Sequence, residues 1–239
     1  MPTLSNRELQ ILAEHFDDKN LRHAISRVEN GEPLAYVIGE WYFYGLTFKL
    51  NGDCLIPRPD TEHVVEKAIN TIPRNGIFID LCTGSGCIAI SLKKHRPDLT
   101  GYALDISDGA LEMAKQNAEL NGVSLEFLHE NVLTFNPQAQ ELDAVISNPP
   151  YIKTDVLKEL EVAKTEPLLA LDGGEDGLIF YKKIISTYLP LLKADGIFIF
   201  EIGYDQGTQI TELARKHGLS CEIFKDYGGC DRVAVLKRI

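Results

Sequence analysis

From Gly76 onward, apolar runs rich in β-branched residues alternate with segments of helical periodicity. Helices are predicted over 88–94, 108–121, 176–192 and 206–217. The seven predicted strands are 77–81, 102–105, 125–128, 142–147, 197–201, 220–225 and 232–238. Such alternation indicates an α/β fold, a doubly wound and mostly parallel sheet with helices on both faces. The last two strands are closely joined and should add an antiparallel edge strand.

The residues before this alternation have a different pattern. Ser5 and Glu8 have capping-box spacing and predict a first helix, and a second short helix is expected to end near Asn30. Residues 33–50 are crowded with aromatic side chains and interrupted by glycines, which predicts a β-hairpin. Helices this short bury little by themselves, so we expect them to lean on the main domain or on a partner. One or two of the hairpin aromatics are predicted to face a macromolecular partner.

Composition narrows the class of protein. The formal net charge of −11 argues against a free-standing nucleic-acid binder, which needs cations to displace phosphate counterions. No apolar run approaches the roughly 20 residues of a membrane span, and no signal peptide is visible. The five cysteines are scattered, as expected for reduced thiols in a cytoplasmic protein. The six histidines show no metal-ligand or triad spacing, so no metal site is expected.

The turn after the first strand of the alternation has the composition of a cofactor loop. Gly84 and Gly86 permit unusual dihedrals and a close approach of a ligand to the backbone. Asp105 ends the next strand, about 20 residues further on, where a carboxylate commonly grips ribose hydroxyls. The same loop also fits the dinucleotide fingerprint. On these residues alone, a nicotinamide dehydrogenase competes with other cofactor-binding enzymes.

A second motif, Asn148-Pro149-Pro150-Tyr151, follows the buried strand 142–147. The prolines end the ladder and hold Asn148 stiffly at the carboxyl end of a central strand. The Asn148 and Pro149 carbonyls could accept the two N–H groups of a planar –NH2 group and aim its lone pair at an electrophile. Tyr151 offers a flat face for that group. The alternative for this motif is an ordinary proline-rich turn. A nicotinamide dehydrogenase would have no evident use for an amide clamp here, so the motif counts against that class of enzyme.

The sequence resembles the HemK/PrmC family of protein-glutamine methyltransferases, which use S-adenosylmethionine. The matching segments run in the family's order from residue 31 to the end: 31–36, 55–62, 80–86, 148–151, 166–167, 201–203 and 231–233. The resemblance implies a Rossmann-like methyltransferase domain over 53–239. It also implies that 1–52, with short helices and a hairpin, helps to recognise the substrate.

The resemblance also implies roles for individual residues. The family's substrate is the Gln of the Gly-Gly-Gln loop in peptide-chain release factors, which makes a release factor the expected partner. The amide clamp and catalytic residues would be Asn148, Pro149, Pro150 and Tyr151. Asp105 would bind the cofactor ribose, and Asn131 with Val132 the adenine edge. The full set expected around S-adenosyl-L-methionine is Asp80, Cys82, Thr83, Gly84, Ser85, Gly86, Asp105, Asn131, Val132 and Asn148.

Three features depart from the family pattern. Cys82 stands where the family usually has Gly, and Asn131 where an acid is usual, which predicts a different strength of adenine binding. The segment before Gly31 is shorter than the family's helical N-terminal domain.

Two other functions stay open at this point. One is a methyltransferase acting on an exocyclic amine of a nucleic-acid base or on a ribosomal-protein glutamine; the acidic charge and the segment around Arg58 count against the nucleic-acid substrate. The other is a cofactor-binding module that has lost activity and serves only as a partner. The intact run from Asn148 to Tyr151 counts against that module.

Overall fold

The computed structural model describes residues 4–137 and 141–239. Its strands are the hairpin pair β1 (Glu40–Phe43) and β2 (Leu46–Lys49), followed by β3 (Ile77–Leu81), β4 (Thr100–Asp105), β5 (Glu126–His129), β6 (Leu142–Ser147), β7 (Leu192–Glu201), β8 (Leu219–Lys225) and β9 (Asp231–Arg238). In the described chain, seven of them form one sheet in the order β5-β4-β3-β6-β7-β9-β8. The first five run parallel, and β9 is antiparallel to both of its neighbours. The predicted doubly wound sheet with an antiparallel hairpin at one edge is confirmed.

Helices cover both faces of this sheet. The helices of the described chain, including those that do not touch the sheet, are α1 (Asn6–His15), α2 (Asp18–Glu29), α3 (Leu34–Ile38), α4 (Glu62–Thr71), α5 (Cys87–His95), α6 (Asp108–Asn121), α7 (Thr154–Leu157), α8 (Ile179–Tyr188) and α9 (Gly207–Lys216). Helices α4, α5 and α6 contribute to one buried apolar cluster, and α8 and α9 to the other. Strand β6 lies between the two clusters and is buried at every position. Its carboxyl end is therefore a rigid platform.

Part of the predicted hairpin over 33–50 is wrong. Residues 34–38 form helix α3, and only β1 and β2 make the hairpin. Pro33 precedes the helix, Gly39 ends it in the left-handed region with φ 81°, and Tyr36 is buried inside it. The aromatic and β-branched content of this stretch favours a strand by propensity, but burial of Ala35, Tyr36 and Val37 in the helix overrides that preference.

The helix predicted over 176–192 is also too long. Helix α8 covers only Ile179–Tyr188, and a 3₁₀ turn over Leu189–Leu191 follows it. Pro190 lies within that turn and has no N–H to continue the helical ladder. Strand β7 consequently begins at Leu192, paired with Leu142, rather than at residue 197.

The N-terminal helices and the hairpin bury their apolar side chains in different clusters. Helices α1, α2 and α3 bury Leu12, Ala24 and Val37 against one another in a small cluster of their own. The hairpin instead places Phe43 and Phe48 in the main core. The hairpin is therefore anchored to the sheet domain. Within the described ranges, no helix is long and apolar enough to cross a membrane.

Candidate active site

The strand order reverses between β3 and β6, and ligands of open α/β sheets bind outside the carboxyl ends of the strands at such a point. A cavity of about 340 Å³ lies there. Its walls come from the loops after β3, β4, β5 and β6, together with residues 52–61 and 167–170. The predicted site residues that line it are Cys82, Thr83, Gly84, Ser85, Asp105, Asn131, Val132, Asn148 and Pro150. Gly86, Pro149 and Tyr151 lie in the same loops and Asp80 in strand β3, all four outside the lining.

The loop after β3 holds its shape through unusual dihedrals and tight packing. Gly84 has φ 55°, and a Cβ added there would meet nothing within 4 Å. Gly86 has φ 81°, and its Cβ would lie 2.7 Å from Ile90 Cδ1. Cys82 adopts φ 59°, a region that disfavours any side chain. The family's usual Gly at that position thus has a conformational reason, and Cys82 retains the conformation with some strain.

Asp105 ends β4 and organises the glycine loop. Its Oδ2 accepts the Gly84 N–H at 2.8 Å, and its Oδ1 accepts the Ser107 N–H at 3.0 Å. Burial raises the pKa of the Asp105 carboxyl, against the lowering effect of these backbone N–H groups. Each carboxylate oxygen has a second lone pair, so the side chain retains acceptors for two ligand hydroxyls.

Asp80 supports the loop from beneath. It is fully buried, and Thr83 Oγ1 donates to its Oδ2 at 2.6 Å. Burial raises the pKa of Asp80 to about 7, against the lowering effect of the Thr83 hydrogen bond. Because Asp80 does not line the cavity, its contribution is to the shape of the loop.

Asn131 and Val132 form the wall that follows β5. Asn131 Oδ1 accepts the Leu133 N–H at 2.9 Å, and its backbone oxygen accepts the Phe135 N–H at 2.7 Å. Val132 is buried at the cavity edge. The Asn131 side chain therefore closes a local turn. A carboxylate in this position could accept the same hydrogen bond.

Asn148 projects from the carboxyl end of β6. Its Nδ2 donates to Thr61 Oγ1 at 3.3 Å, and Thr61 Oγ1 donates to Glu201 Oε2 at 2.5 Å. Thr61 and Glu201 are each 2% exposed. Within the described residues, no protein donor reaches Asn148 Oδ1. The side chain thus presents an unoccupied carbonyl acceptor in the wall of the cavity.

Pro150 and Tyr151 are held against the segment 171–177. Gly173 has no room for a Cβ, which would lie 2.7 Å from Tyr151 Cα. Ile152 donates its N–H to the Leu171 carbonyl at 3.0 Å, and Gln206 Nε2 donates to the Tyr151 carbonyl at 3.1 Å. The motif is therefore fixed on both sides rather than being a free turn.

Tyr151 contacts the buried carboxyl group. Its hydroxyl donates to Glu201 Oε1 at 3.4 Å, and burial raises the pKa of this phenol well above its usual range, with a further contribution from the Glu201 charge. The phenol is thus a neutral donor at ordinary pH. The predicted use of its ring as a flat face for a substrate amide stays a prediction.

Three side chains that contribute to this site were not predicted as site residues. Thr61 and Glu201 lie in segments that matched the family, and Gln206 lies beyond the second of them. Glu201 had one signal, since it is a polar residue at the end of the apolar run of β7, and the local sequences of Thr61 and Gln206 carry no such signal. The ion pair of Arg58 with Glu166 was also missed. It joins the segment around residue 57 to the one around 167, both of which line the cavity.

The residues present fit a nucleoside-bearing cofactor. The volume falls within the range of about 300–1,000 Å³ typical of small-molecule sites. Gly84 leaves open space beside the backbone, and Asp105 offers carboxylate lone pairs where ribose hydroxyls would lie. Within the described residues, no group of His, Cys, Asp and Glu side chains could hold a metal ion. No histidine of the described chain lines the cavity.

Comparison with known proteins points to the same chemistry. The family model of the methyltransferase small domain matches residues 61–168. The release factor glutamine methyltransferase of Thermodesulfovibrio yellowstonii is 40% identical over 91% of this chain and 81% of its own length. The Aquifex aeolicus protein of the same name is 39% identical over 88% of this chain and 76% of its own.

A solved structure agrees with these relatives. The release-factor-specific protein-(glutamine-N5) methyltransferase of Alicyclobacillus acidocaldarius is 28% identical, with a TM-score of 0.50. That match covers 80% of this chain and 100% of the other. Together with the sheet order and the cavity, these likenesses define an enzyme that takes S-adenosylmethionine as methyl donor. More narrowly, the chain belongs to the release factor glutamine methyltransferase family.

Proposed function

We propose that this enzyme transfers a methyl group to the side-chain amide nitrogen of the Gln in the Gly-Gly-Gln loop of a peptide-chain release factor. The observation that carries the proposal is the Asn148 side chain. It lines the cavity, its –NH2 end is bound to Thr61, and its carbonyl oxygen is left as an acceptor. The names of the relatives in two bacteria support the choice of a release factor.

The cofactor would lie between the loops after β3, β4 and β5. Asp105 would accept the ribose hydroxyls, and Asn131 with Val132 would border the adenine. The backbone from Cys82 to Ser85 would follow the rest of the molecule, and Gly86 and Asp80 would keep that backbone in place. When bound, S-adenosylmethionine supplies an electrophilic methyl group.

The amide side of the site would orient the nucleophile. Asn148 Oδ1 would accept one N–H of the substrate amide, and the Pro149 carbonyl the other. Pro150 lines the cavity and stiffens the turn, while Tyr151 is held by Glu201 and Gln206 behind it. Alignment of this kind places the reacting atoms roughly 3–3.5 Å apart. The amide proton becomes acidic only once the nitrogen is alkylated, so no strong base is required beforehand.

The direct test is mass spectrometry of a release factor incubated with the enzyme and isotopically labelled cofactor. We expect one methyl group on the loop Gln, and none when that Gln is replaced by Ala. Parallel incubations with ribosomal protein and with nucleic acid cover the other amide and amine substrates. Label that enters either of those, and not the release factor, would overturn the proposed substrate.

A matched pair of variants links the activity to the site. Asn148→Ala should abolish most of the incorporation. Asn70→Ala removes a similar side chain from α4, where it donates to the Glu66 carbonyl of its own helix, and should leave incorporation unchanged.

A further inference from the structure

Glu201 is a buried carboxyl group that lies outside the lining of the cavity. It ends β7, is 2% exposed and is absent from the described residues that line the cavity. Its carboxylate oxygens accept hydrogen bonds from Thr61 at 2.5 Å and Tyr151 at 3.4 Å. A buried charge is expensive unless it is bonded in this way. Its presence beside the amide site therefore calls for a function.

The hydrogen-bonding capacities of the three groups fix a direction. An ionised carboxylate can only accept hydrogen bonds, so the Thr61 hydroxyl must donate its one proton to Glu201. The Thr61 oxygen is then left with lone pairs only. A side-chain amide that meets lone pairs must present its –NH2 end, and Asn148 Nδ2 is the atom 3.3 Å from Thr61 Oγ1. The Asn148 carbonyl consequently points away from Thr61.

We infer that Thr61 and Glu201 are positioning residues that set the rotamer of the Asn148 amide, so that its carbonyl rather than its –NH2 group meets the substrate. The inference rests on the proposed function of Asn148. It adds that Glu201, which lies outside the cavity lining, specifies the acceptor through two hydrogen bonds, with Thr61 in the cavity wall between them. An amide is nearly symmetric in shape, so packing alone would not distinguish its two ends.

Replacing Glu201 by Gln makes the inference testable without changing shape. The Gln –NH2 group can donate to Thr61, which frees the Thr61 proton to donate to the Asn148 carbonyl. That second arrangement blocks the acceptor that the substrate needs. Glu201→Gln should therefore lower turnover about 10–100-fold, by analogy with the range seen when a group that orients a metal ligand is lost. Cofactor affinity should not change, because Glu201 does not reach the cavity.

Three further variants complete the series. Thr61→Val removes the hydroxyl and keeps the shape, and should lower turnover on the same scale. Thr61→Ser restores the hydroxyl and should recover part of the loss. The matched control is Thr71→Val, since Thr71 lies exposed near the end of α4 and donates to the Lys67 carbonyl of its own helix.

Two readouts are needed, one of which is independent of activity. The first is single-turnover methylation of a Gly-Gly-Gln protein. The second is the side-chain amide signal of Asn148 in ¹⁵N-labelled enzyme without ligand, assigned by its loss in Asn148→Ala. In wild type, the bond to Thr61 should slow exchange of these protons with water. Exchange should be faster in Thr61→Val and close to wild type in Thr61→Ser.

The outcomes separate this inference from the proposed function. Slower turnover in Glu201→Gln and Thr61→Val, with faster Asn148 exchange in Thr61→Val, supports the inference. Unchanged exchange in Thr61→Val overturns it whatever the turnover, as does wild-type turnover in both variants. If the wild-type enzyme methylates no glutamine, the proposed substrate is wrong. The exchange measurement then shows by itself whether Thr61 orients the Asn148 amide.

Discussion

The two sides of the cavity hold their functional groups by different means. On the cofactor side, Asp105 binds Gly84, which lies 21 residues away in the sequence, and the loop's shape is local. On the amide side, Asn148 binds Thr61 across 87 residues, and Thr61 binds Glu201 across 140. The cofactor side depends on backbone dihedrals and on carboxyl groups close to the loop in sequence, and the amide side on a buried carboxylate that is distant in sequence. Changes to the first should affect binding, and changes to the second should affect turnover.

The largest effect should come from Asn148→Ala. Loss of one preorganised contact to reacting groups costs about 10²–10³ in turnover. Cofactor affinity should fall far less, because Asp105 and its loop are intact. Single-turnover methylation together with calorimetry of the cofactor measures both quantities. Near-normal rates in a folded variant would make the motif an ordinary stiff turn and remove the contrast between the two sides.

The next effect is a pH dependence that belongs to the amide side. Burial raises the pKa of Glu201 to about 7 from an ordinary value of 4.5, aided by Asp60, with the Thr61 hydrogen bond, the Arg232 charge and Tyr151 opposing. The folded chain then binds more protons than the unfolded one between these values, so the stability decreases as pH rises through this window. At about 1.4 kcal/mol for each unit of pKa difference, the loss is about 3 kcal/mol.

Turnover should change with pH in the opposite direction, because only the ionised Glu201 compels Thr61 to donate to it. Urea denaturation and single-turnover rates, each at about pH 5 and about pH 8, measure the two trends. In Glu201→Gln both pH dependences should become smaller. Asp80 has a pKa of about 7 as well, so part of the stability slope persists in the variant. Equal slopes in the wild type and the variant would contradict the assignment to Glu201.

The difference between the cofactor side and the amide side also explains which features could be predicted from the sequence. The strands β3, β4, β6 and the second half of β7 were found because buried parallel strands are near-continuous apolar runs, and Asp105 was found because its spacing from Gly84 is short. Helix α3 was missed because five residues have too little periodicity to outweigh their β propensity. The end of α8 was missed although Pro190 marked it.

The amide side could be predicted only in part. Asn148 to Tyr151 stand together in the sequence, and their motif was recognised. Thr61 and Glu201 reach them only through the fold, since α4 and β7 must both pack beside β6. No local pattern states that a hydroxyl in one segment will donate to a carboxylate in another. The partners that orient a reacting group are in general harder to predict than the group itself.

A smaller effect is expected on the cofactor side from Asp105→Ala. Hydrogen bonds to a charged group contribute about 1–3 kcal/mol, and affinity for S-adenosylmethionine should fall accordingly. The variant also leaves the Gly84 N–H without its acceptor, so the loop should loosen. Calorimetry measures the affinity, and Glu119→Ala, which removes an exposed carboxylate from α6, is the control. Unchanged affinity, with turnover reduced instead, would place Asp105 on the amide side.

The smallest effect concerns the hairpin, which could belong to either side. Asn117 donates to the Lys49 carbonyl at 3.0 Å and to the Ser85 carbonyl at 2.9 Å, so β2 is bonded to the cofactor loop through one buried side chain. Yet Tyr42 in β1 is 72% exposed, while Trp41 packs against the buried cluster of Tyr36 and its neighbours. An exposed tyrosine is well suited to contact a protein partner.

We therefore predict that Tyr42→Ala raises the KM for the release factor about fivefold, the effect of losing roughly 1 kcal/mol at an interface, and leaves cofactor affinity alone. Trp41→Ala should lower stability through lost packing, in addition to any effect on the KM. Steady-state kinetics with the whole release factor and with a short Gly-Gly-Gln peptide distinguish the possibilities, because the peptide cannot reach a distant surface. An equal rise for both substrates would mean that the hairpin acts through Asn117 and Ser85 on the site itself. No rise for either would exclude Tyr42 from the docking surface.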